Sequence, residues 1–450
     1  MSRMEPRFRL PTPALAPLWV LLAAFAIQLP LALAPGYFSH DELQWAWRAQ
    51  SVDFVPWWDH RETFQFRPLT FNLWMALSRA FFDSPRVFHS ILVAWGSLNA
   101  ALLFVVGRRF GMGARAAAIG AIGFVLTPFA AYTHGWVATI ADLIWVSDAL
   151  VLAWCVLRIE RGWVVAVLAF LLSFEAILGK EAAAAIPVLC AVAWLLDPAR
   201  RGRWTAATIG SGLAIALFLA WRAPALLHAP RDGGMQYVPS LSNVPVRWFE
   251  YQVFPPIFSL LEAHTTWMRA KPVIVAAALW IALVVALWRA NRRIALAFLL
   301  GGFAALAPVL TLGVATNHYG YGFAALGALC VAAAWRWASR PGRVAIALYA
   351  GLTVLHGVAV MLAMHQVARI QSVFSPALAQ IVASRPGLVR IRPAPDAKEW
   401  IFVRLTHEVP AYHGVPVAGR VELVPAGQPA DYEIRADGSL IPVRTGLRLR

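Results

Sequence analysis

The chain has 450 residues, of which 60% are hydrophobic and 14% charged, with a mean hydropathy of +0.62. That balance excludes an ordinary soluble globule, which needs far more polar residues to cover its core. The formal net charge of +16 does not point to nucleic acid. The basic residues stand in short clusters between apolar runs of roughly 20 residues, the pattern that sets the topology of a polytopic helical membrane protein.

The N-terminus has a basic flank and a long apolar run without a small-residue cleavage site, which reads as a retained first span that also directs export. Ten further spans follow, giving 16–34, 87–107, 115–132, 139–157, 163–178, 182–196, 204–221, 272–288, 294–313, 320–337 and 343–362. Eleven spans put the chain ends on opposite sides of the bilayer. Connectors on one side carry Arg3 and Arg7, then Arg108, Arg109 and Arg115, then Arg158 and Arg161. The same side receives Arg200, Arg201 and Arg203, then Arg289, Arg292 and Arg293, then Arg336, Arg340 and Arg343. By the positive-inside rule that side is expected to be the cytoplasm, with the N-terminus inside and the C-terminal tail outside; the excess of Arg and Ala reads as the composition of a GC-rich bacterial genome, so the expected membrane is a bacterial inner membrane. Cys155, Cys190 and Cys330 all fall in apolar runs and form neither a disulfide framework nor a metal spacing.

The first outer loop, 35–86, begins with "GYFSHDELQW" at 36–45, where His40, Asp41 and Glu42 interrupt an apolar stretch. Later, "PLTFNLWMALSRAFF" (68–82) starts with a proline suited to a first helical position and repeats apolar residues at helical spacing. Trp45, Trp47, Trp57, Trp58 and Trp74 enrich the loop in interfacial aromatics. The loop therefore reads as one or two helices lying on the membrane, with Asp41 near the start of the first, where a carboxylate is favoured.

The tail, 363–450, reads as a second, smaller unit beside a membrane domain of residues 1–362. "LVRIRP", "EWIFVRL" and "VELVP" read as strands, and "YEIRADGSLIPV" as a hairpin turning at Asp437-Gly438. The expected fold class is an all-α polytopic membrane bundle with interfacial loop helices and a small β-rich or mixed C-terminal domain.

Ionisable residues at membrane depth are expensive, and here they gather on the expected outer side. They are Asp41 and Glu42, Arg67 in "FRPLTF", His134 and Asp142, Lys180 and Glu181 in "GKE", and His318 with Tyr321 in "TNHYGYG". Lysine is rare: only Lys180, Lys271 and Lys398 occur. One-sided clustering suits chemistry at a membrane surface better than transport through broken helices at the midplane.

These segments resemble the GT-C glycosyltransferases, polytopic enzymes that take a sugar from a polyprenyl-phosphate donor. "FRPLTF" is similar to the Arg-Pro-Leu segment of the protein O-mannosyltransferase-like branch, notably the TMTC type and its bacterial relatives. In "TPFAAYTHGWVATIADLIW" (127–145), Pro128, Trp136 and Asp142 match that branch's Pro…Trp…Asp-Leu segment. "GKEAAAAIP" resembles its Ser-Lys-Glu segment and "NHYGYGFAALG" its Arg-Tyr-Leu-Tyr-Leu-Pro segment. The likeness spans about residues 36–327. Departures are Tyr132 in place of an acidic residue, Ile140 and His318 each in place of arginine, and no tetratricopeptide repeats.

The resemblance implies transfer from a polyprenyl-phosphate-linked sugar to an unidentified extracytoplasmic hydroxyl. Asp41 is expected to act as general base, with Glu42 orienting the acceptor or tuning Asp41. Arg67, Lys180 and His318 are expected to bind the phosphate, with Asp142 and Glu181 holding the cations and Tyr321 completing the substrate site. No redox or nucleotide cofactor is implied. Some branches of the superfamily use a divalent cation, but the one resembled does not suggest it, and His40, His60 and His134 have no ligand spacing. The plainer alternatives are a helix cap for Asp41 and Glu42, a headgroup contact for Arg67, and a structural ion pair for Lys180 and Glu181. At the level of the whole chain the alternatives are a lipid-linked glycan transporter, a polymer-export protein, or a transferase of another lipid-linked group.

Overall fold

The computed structural model describes residues 15–56, 65–228, 238–257 and 270–443. Arg3, Arg7, Trp57, Trp58 and His60 lie outside the described residues. The first apolar run forms α1 (Ala16–Ile27) and a short α2 (Leu29–Ala32), parted at Gln28 just ahead of Pro30. The loop then supplies two helices, α3 (His40–Ser51) and α4 (Pro68–Phe81), the second opening on the proline expected to start it. The bundle continues as α5 (Pro85–Arg109), α6 (Ala114–Val125), α7 (Pro128–Gly135), α8 (Ile140–Arg158), α9 (Gly162–Gly179), α10 (Ala185–Leu196) and α11 (Arg201–His228). After these come α12 (Val244–Val253), α13 (Ala270–Ala290), α14 (Arg292–Leu296), α15 (Gly302–Leu310), α16 (Tyr321–Ala334) and α17 (Arg340–Ser384). Each apolar run read from the sequence contains a helix. Among the described residues, seven helices are long and apolar enough to cross a bilayer, or eight if α6 and α7 make one bent span.

The bend between α6 and α7 is 58°. Pro128 lacks the N–H that would continue the helix, and Thr127 caps the new one by accepting from Ala130 N at 3.1 Å. The inside of the bend is filled by Gly357 of α17, where a Cβ would come within 1.9 Å of the Leu126 carbonyl oxygen. No larger residue fits this crossing.

The connectors sort the molecule into two faces. Phe110, Asn291 and Arg336 from three connectors, with Trp204 and Arg293 from the first turns of α11 and α14, line one apolar cavity of about 470 Å³, which marks an arginine face. The start of α3, the α7–α8 turn, the end of α9 and the segment before α16 meet at the opposite face, here termed the loop face.

At 45 residues, α17 is about 67 Å long, roughly twice the hydrocarbon thickness. The span expected at 343–362 is its first part, so the sequence boundary at residue 363 falls inside this helix. Its far half carries Ile370, Phe374, Leu378 and Val382 into a core with Val389, Ile391, Phe402 and Ile434 of the tail.

The tail contains β1 (Val389–Pro393), α18 (Glu399–Thr406), β2 (Ala411–Tyr412), β3 (Val415–Pro416), β4 (Val421–Leu423), β5 (Tyr432–Ile434) and β6 (Leu440–Pro442). Its sheet order is β4-β1-β5-β6, with β1 parallel to β4 and β5, and β5 antiparallel to β6. The expected hairpin is present. Its Gly438 has φ +92°, and a Cβ there would meet the Ile370 carbonyl oxygen at 2.6 Å, so the turn docks directly on α17. The strand expected at "EWIFVRL" is instead helix α18. Parallel β1 and β4 need a crossover, and this segment provides it. Ile401, Phe402 and Leu405 bury one helical face, while Glu399 and Arg404 lie at the helix ends their charges favour.

Candidate active site at the loop face

The site begins at the cap of α3. Ser39 is extended, with φ −143° and ψ 163°, and its N–H donates to Glu42 Oε2 at 2.6 Å in a capping box. Phe38 N donates to the same oxygen at 3.0 Å, and Val137 N donates to Glu42 Oε1 at 3.2 Å. Both carboxylate oxygens are thus taken by backbone groups, and the residue is only 2% exposed. Burial pushes the Glu42 carboxyl up to about 8, against the pull of the Ser39 and Val137 N–H groups. Glu42 thereby braces α3 onto the α7–α8 turn. Asp41 differs: its side chain is 30% exposed, 3.4 Å from His40 Nε2, and accepts from Ser39 Oγ at 3.3 Å. It is the carboxylate of the pair that reaches the surface. Burial lowers the pKa of His40 despite the raising effect of Asp41.

Behind Asp41 lies an aromatic wall. Trp136 contacts Phe38, Tyr132 and His318 edge-on, with ring centroids 6.1, 5.6 and 5.3 Å apart. Arg404 of α18 reaches in from the tail, its guanidinium 4.3 Å from the Phe38 ring and 5.2 Å from the Trp136 ring. The strip that follows it also rests on the first loop. Gln44 Nε2 donates to the Glu408 carbonyl at 2.9 Å, the His407 and His40 rings lie 5.2 Å apart, and His413 Nδ1 is 3.3 Å from Asp83.

A second group of charges lies at the ends of α8, α9 and α11. Asp142, in the first turn of α8, is held by Lys180 Nζ at 2.5 Å, and both are buried. Lys180 follows α9, where the backbone turns extended, and its ammonium stands 4.7 Å from the Tyr319 ring. Arg67 caps α4 and donates through Nε to Glu181 Oε2 at 2.7 Å. Thr70 Oγ1 donates to the Gly179 carbonyl at 2.8 Å, which locks that helix against α9. Arg222, near the end of α11 and buried, stacks over Phe66 at 4.9 Å and acts electrostatically on Glu181. Three cations thus share two carboxylates.

The sequence candidates therefore fall into two groups. Glu42, bonded to Val137, and His318, packed on the Trp136 ring, lie with Asp41 on the side of the aromatic wall, while Arg67, Asp142, Lys180 and Glu181 form the charge cluster. The groups meet where the His318 and Tyr319 rings lie 4.3 Å apart. Tyr321 belongs to neither. It is fully buried, and its hydroxyl meets His134 Nε2 at 2.8 Å and Asn99 Nδ2 at 3.2 Å. With Gln28, 2.6 Å from His134 Nδ1, these residues tie α1, α5, α7 and α16 together inside the bundle. Arg404 and Arg222 are additions that sequence reasoning did not reach. Among the described residues no cluster of three metal-ligating side chains occurs. The apolar cavity of about 470 Å³ extends up to Trp145, which donates to Asp142 Oδ1 at 3.3 Å, but Asp41, Arg67, Lys180 and His318 do not line it.

No known family's sequence profile matches the chain, and no curated relative matches it. Among solved structures it is similar to ArnT from Cupriavidus metallidurans bound to undecaprenyl phosphate, with a TM-score of 0.53 and 14% identity over 92% of this chain and 87% of that one. It also matches arabinofuranosyltransferase AftD from Mycobacteria, with a TM-score of 0.37 and 17% identity over 84% of this chain and 29% of that one, a likeness too loose to carry an inference. The ArnT match speaks for the fold: this chain is a polytopic helical membrane protein of GT-C-like architecture with a small strand-bearing C-terminal unit.

Proposed function

We propose that the chain is an integral-membrane glycosyltransferase that moves a sugar from a polyprenyl-phosphate carrier to an acceptor hydroxyl at the loop face. In this reading the arginine face is cytoplasmic, the loop face is extracytoplasmic, and the membrane is a bacterial inner membrane. The observation that carries the proposal is the placement at one face of a partly exposed carboxylate, Asp41, and a cationic cluster of Arg67, Lys180 and Arg222. This occurs in a fold shared with a protein solved bound to undecaprenyl phosphate.

The acceptor hydroxyl loses its proton to an Asp41 carboxylate oxygen as its oxygen bonds to the anomeric carbon. The bond from that carbon to the phosphate oxygen breaks, and polyprenyl phosphate departs with the electron pair. One displacement inverts the anomeric configuration. Charge grows on the leaving phosphate, so cations fixed in advance lower the barrier more than mobile ones do. Arg67, whose side chain is 23% exposed, is the cation of this cluster assigned to meet the phosphate, with Lys180 held behind it by Asp142. His318 approaches from the other side of Tyr319. The finer resemblance, to the O-mannosyltransferase branch, bears on the donor sugar and rests on the matched segments around Arg67, Trp136 and Lys180.

The test is Asp41→Asn in producing cells, with insertion and melting checked on purified protein. Mass spectrometry of envelope glycans and glycolipids should show one glycosylated species lost. An unchanged glycan profile with wild-type amounts of folded variant refutes the assignment.

A further inference from the structure

The tail's arginines are mostly accounted for by the tail itself. Arg385 pairs with Asp431 at 3.4 Å, Arg390 with Glu422 at 2.9 Å and Arg392 with Glu433 at 3.1 Å, while Arg420 donates to the carbonyls of Val382 and Arg385. Arg404 breaks that pattern. Among the described residues no carboxylate lies within ion-pair distance of it, and its guanidinium is carried across to the membrane unit to stack on Phe38 and Trp136.

Donors without acceptors gather at the same point. Trp136 Nε1, Tyr132 Oη and Arg404 Nε are all buried; the Arg404 guanidinium lies beside the Tyr132 phenol oxygen, and the Trp136 N–H, the Tyr132 O–H and Arg404 Nε still find no acceptor among the described residues. An N–H or O–H left in this state is costly, and more so for a charged group. The Trp136 ring is shared by Arg404 on one side and His318 on the other, at 5.2 and 5.3 Å. A guanidinium, an indole N–H and a phenol O–H converging beside an imidazole form a set of donors that a phosphate, with several acceptor oxygens, would satisfy together. The adjoining backbone is unusual too. Glu408 and His413, with φ of 50° and 45°, are the non-glycine residues in the left-handed region among those described. Both lie in the strip that presses the tail onto the first loop.

We propose that the C-terminal unit completes the active site by contributing Arg404, which together with Trp136 and Tyr132 binds the phosphate of the polyprenyl carrier. The proposal rests on the glycosyltransferase reading above and adds a binding group from a part of the chain that the sequence motifs leave out. The tail then acts as a roof over Asp41, held by α17 on one side and by the first loop on the other.

The test measures binding of undecaprenyl phosphate and of uncharged undecaprenol to the full-length protein in detergent by native mass spectrometry. Arg404→Met should bind undecaprenyl phosphate about tenfold more weakly or worse, with undecaprenol affinity and melting temperature unchanged. Arg404→Lys, which keeps the charge but loses the planar fork, should recover part of the difference. Wild-type phosphate affinity in Arg404→Met, or equal loss for both lipids, overturns the role of Arg404 and leaves the glycosyltransferase reading standing. A wild-type protein that binds neither lipid overturns both.

Discussion

Lys180→Met is the most exacting perturbation of the charge cluster. It leaves Asp142, 1% exposed, without the ammonium now 2.5 Å from it. At that separation and an effective dielectric of about 20, the attraction is ~7 kcal/mol before desolvation of the two ions is set against it. Desolvation offsets much of this in the intact pair, but removing one partner strands a buried charge at a cost of about 3–5 kcal/mol. Replacing both, in Asp142→Asn/Lys180→Met, strands no charge. The asparagine oxygen still accepts from Trp145 Nε1, now 3.3 Å from Asp142, so the double variant should lose only about 1 kcal/mol. The assay is thermal melting of detergent-solubilised protein followed by size-exclusion chromatography, with both single variants and the double variant forming a cycle. Lys180→Met should melt markedly lower, and the double variant should recover most of the loss. A single variant that melts like wild type, or a double variant as unstable as the single, refutes the claim that the two charges hold each other.

Three further outcomes follow from particular residues. The Glu42 carboxyl is raised from its ordinary 4.5 to about 8, so its contribution to stability is complete below about pH 4.5 and is lost as pH rises through about 8; melting should fall across that window, and Glu42→Gln, which imitates the protonated acid and does not titrate, should flatten the slope. Gly438→Ala places a Cβ against the Ile370 carbonyl at φ +92° and should cost about 2 kcal/mol, seen as faster proteolysis of the tail with the bundle intact. Tyr321→Phe removes the hydroxyl shared by His134 and Asn99 and should lower stability by about 1–3 kcal/mol, without altering undecaprenyl phosphate affinity.

The start of the site was legible because its signal is local. Asp41 was expected near the start of an interfacial helix, and α3 does begin at His40; the cap itself is Ser39, paired with Glu42 in a capping box not singled out from the sequence. The division of labour between Asp41 and Glu42 was not legible. It depends on the Val137 N–H, 95 positions away, which consumes the second Glu42 oxygen. Lys180 drew notice by its rarity, but its partner lies 38 positions earlier and only the packing of α8 on α9 joins them. Segment 399–405 was misread because it is apolar at nearly every position, so helical and strand periods fit equally well until β1 and β4 pair in parallel. Arg404 was invisible because its contact with Phe38 and Trp136 exists only once the tail folds back along α17.

The central claim is that the bond between sugar and lipid phosphate breaks at this site with Asp41 as base. The measurement is release of sugar-free polyprenyl phosphate in proteoliposomes loaded with the host membrane's own pool of lipid-linked sugars and supplied with its envelope acceptors. Wild-type protein should release it together with a glycosylated product, and Asp41→Asn should release it about 10²–10⁴ times more slowly at unchanged melting temperature. Equal release by the variant, or movement of intact lipid-linked sugar across the bilayer with the phosphate bond unbroken, contradicts the account.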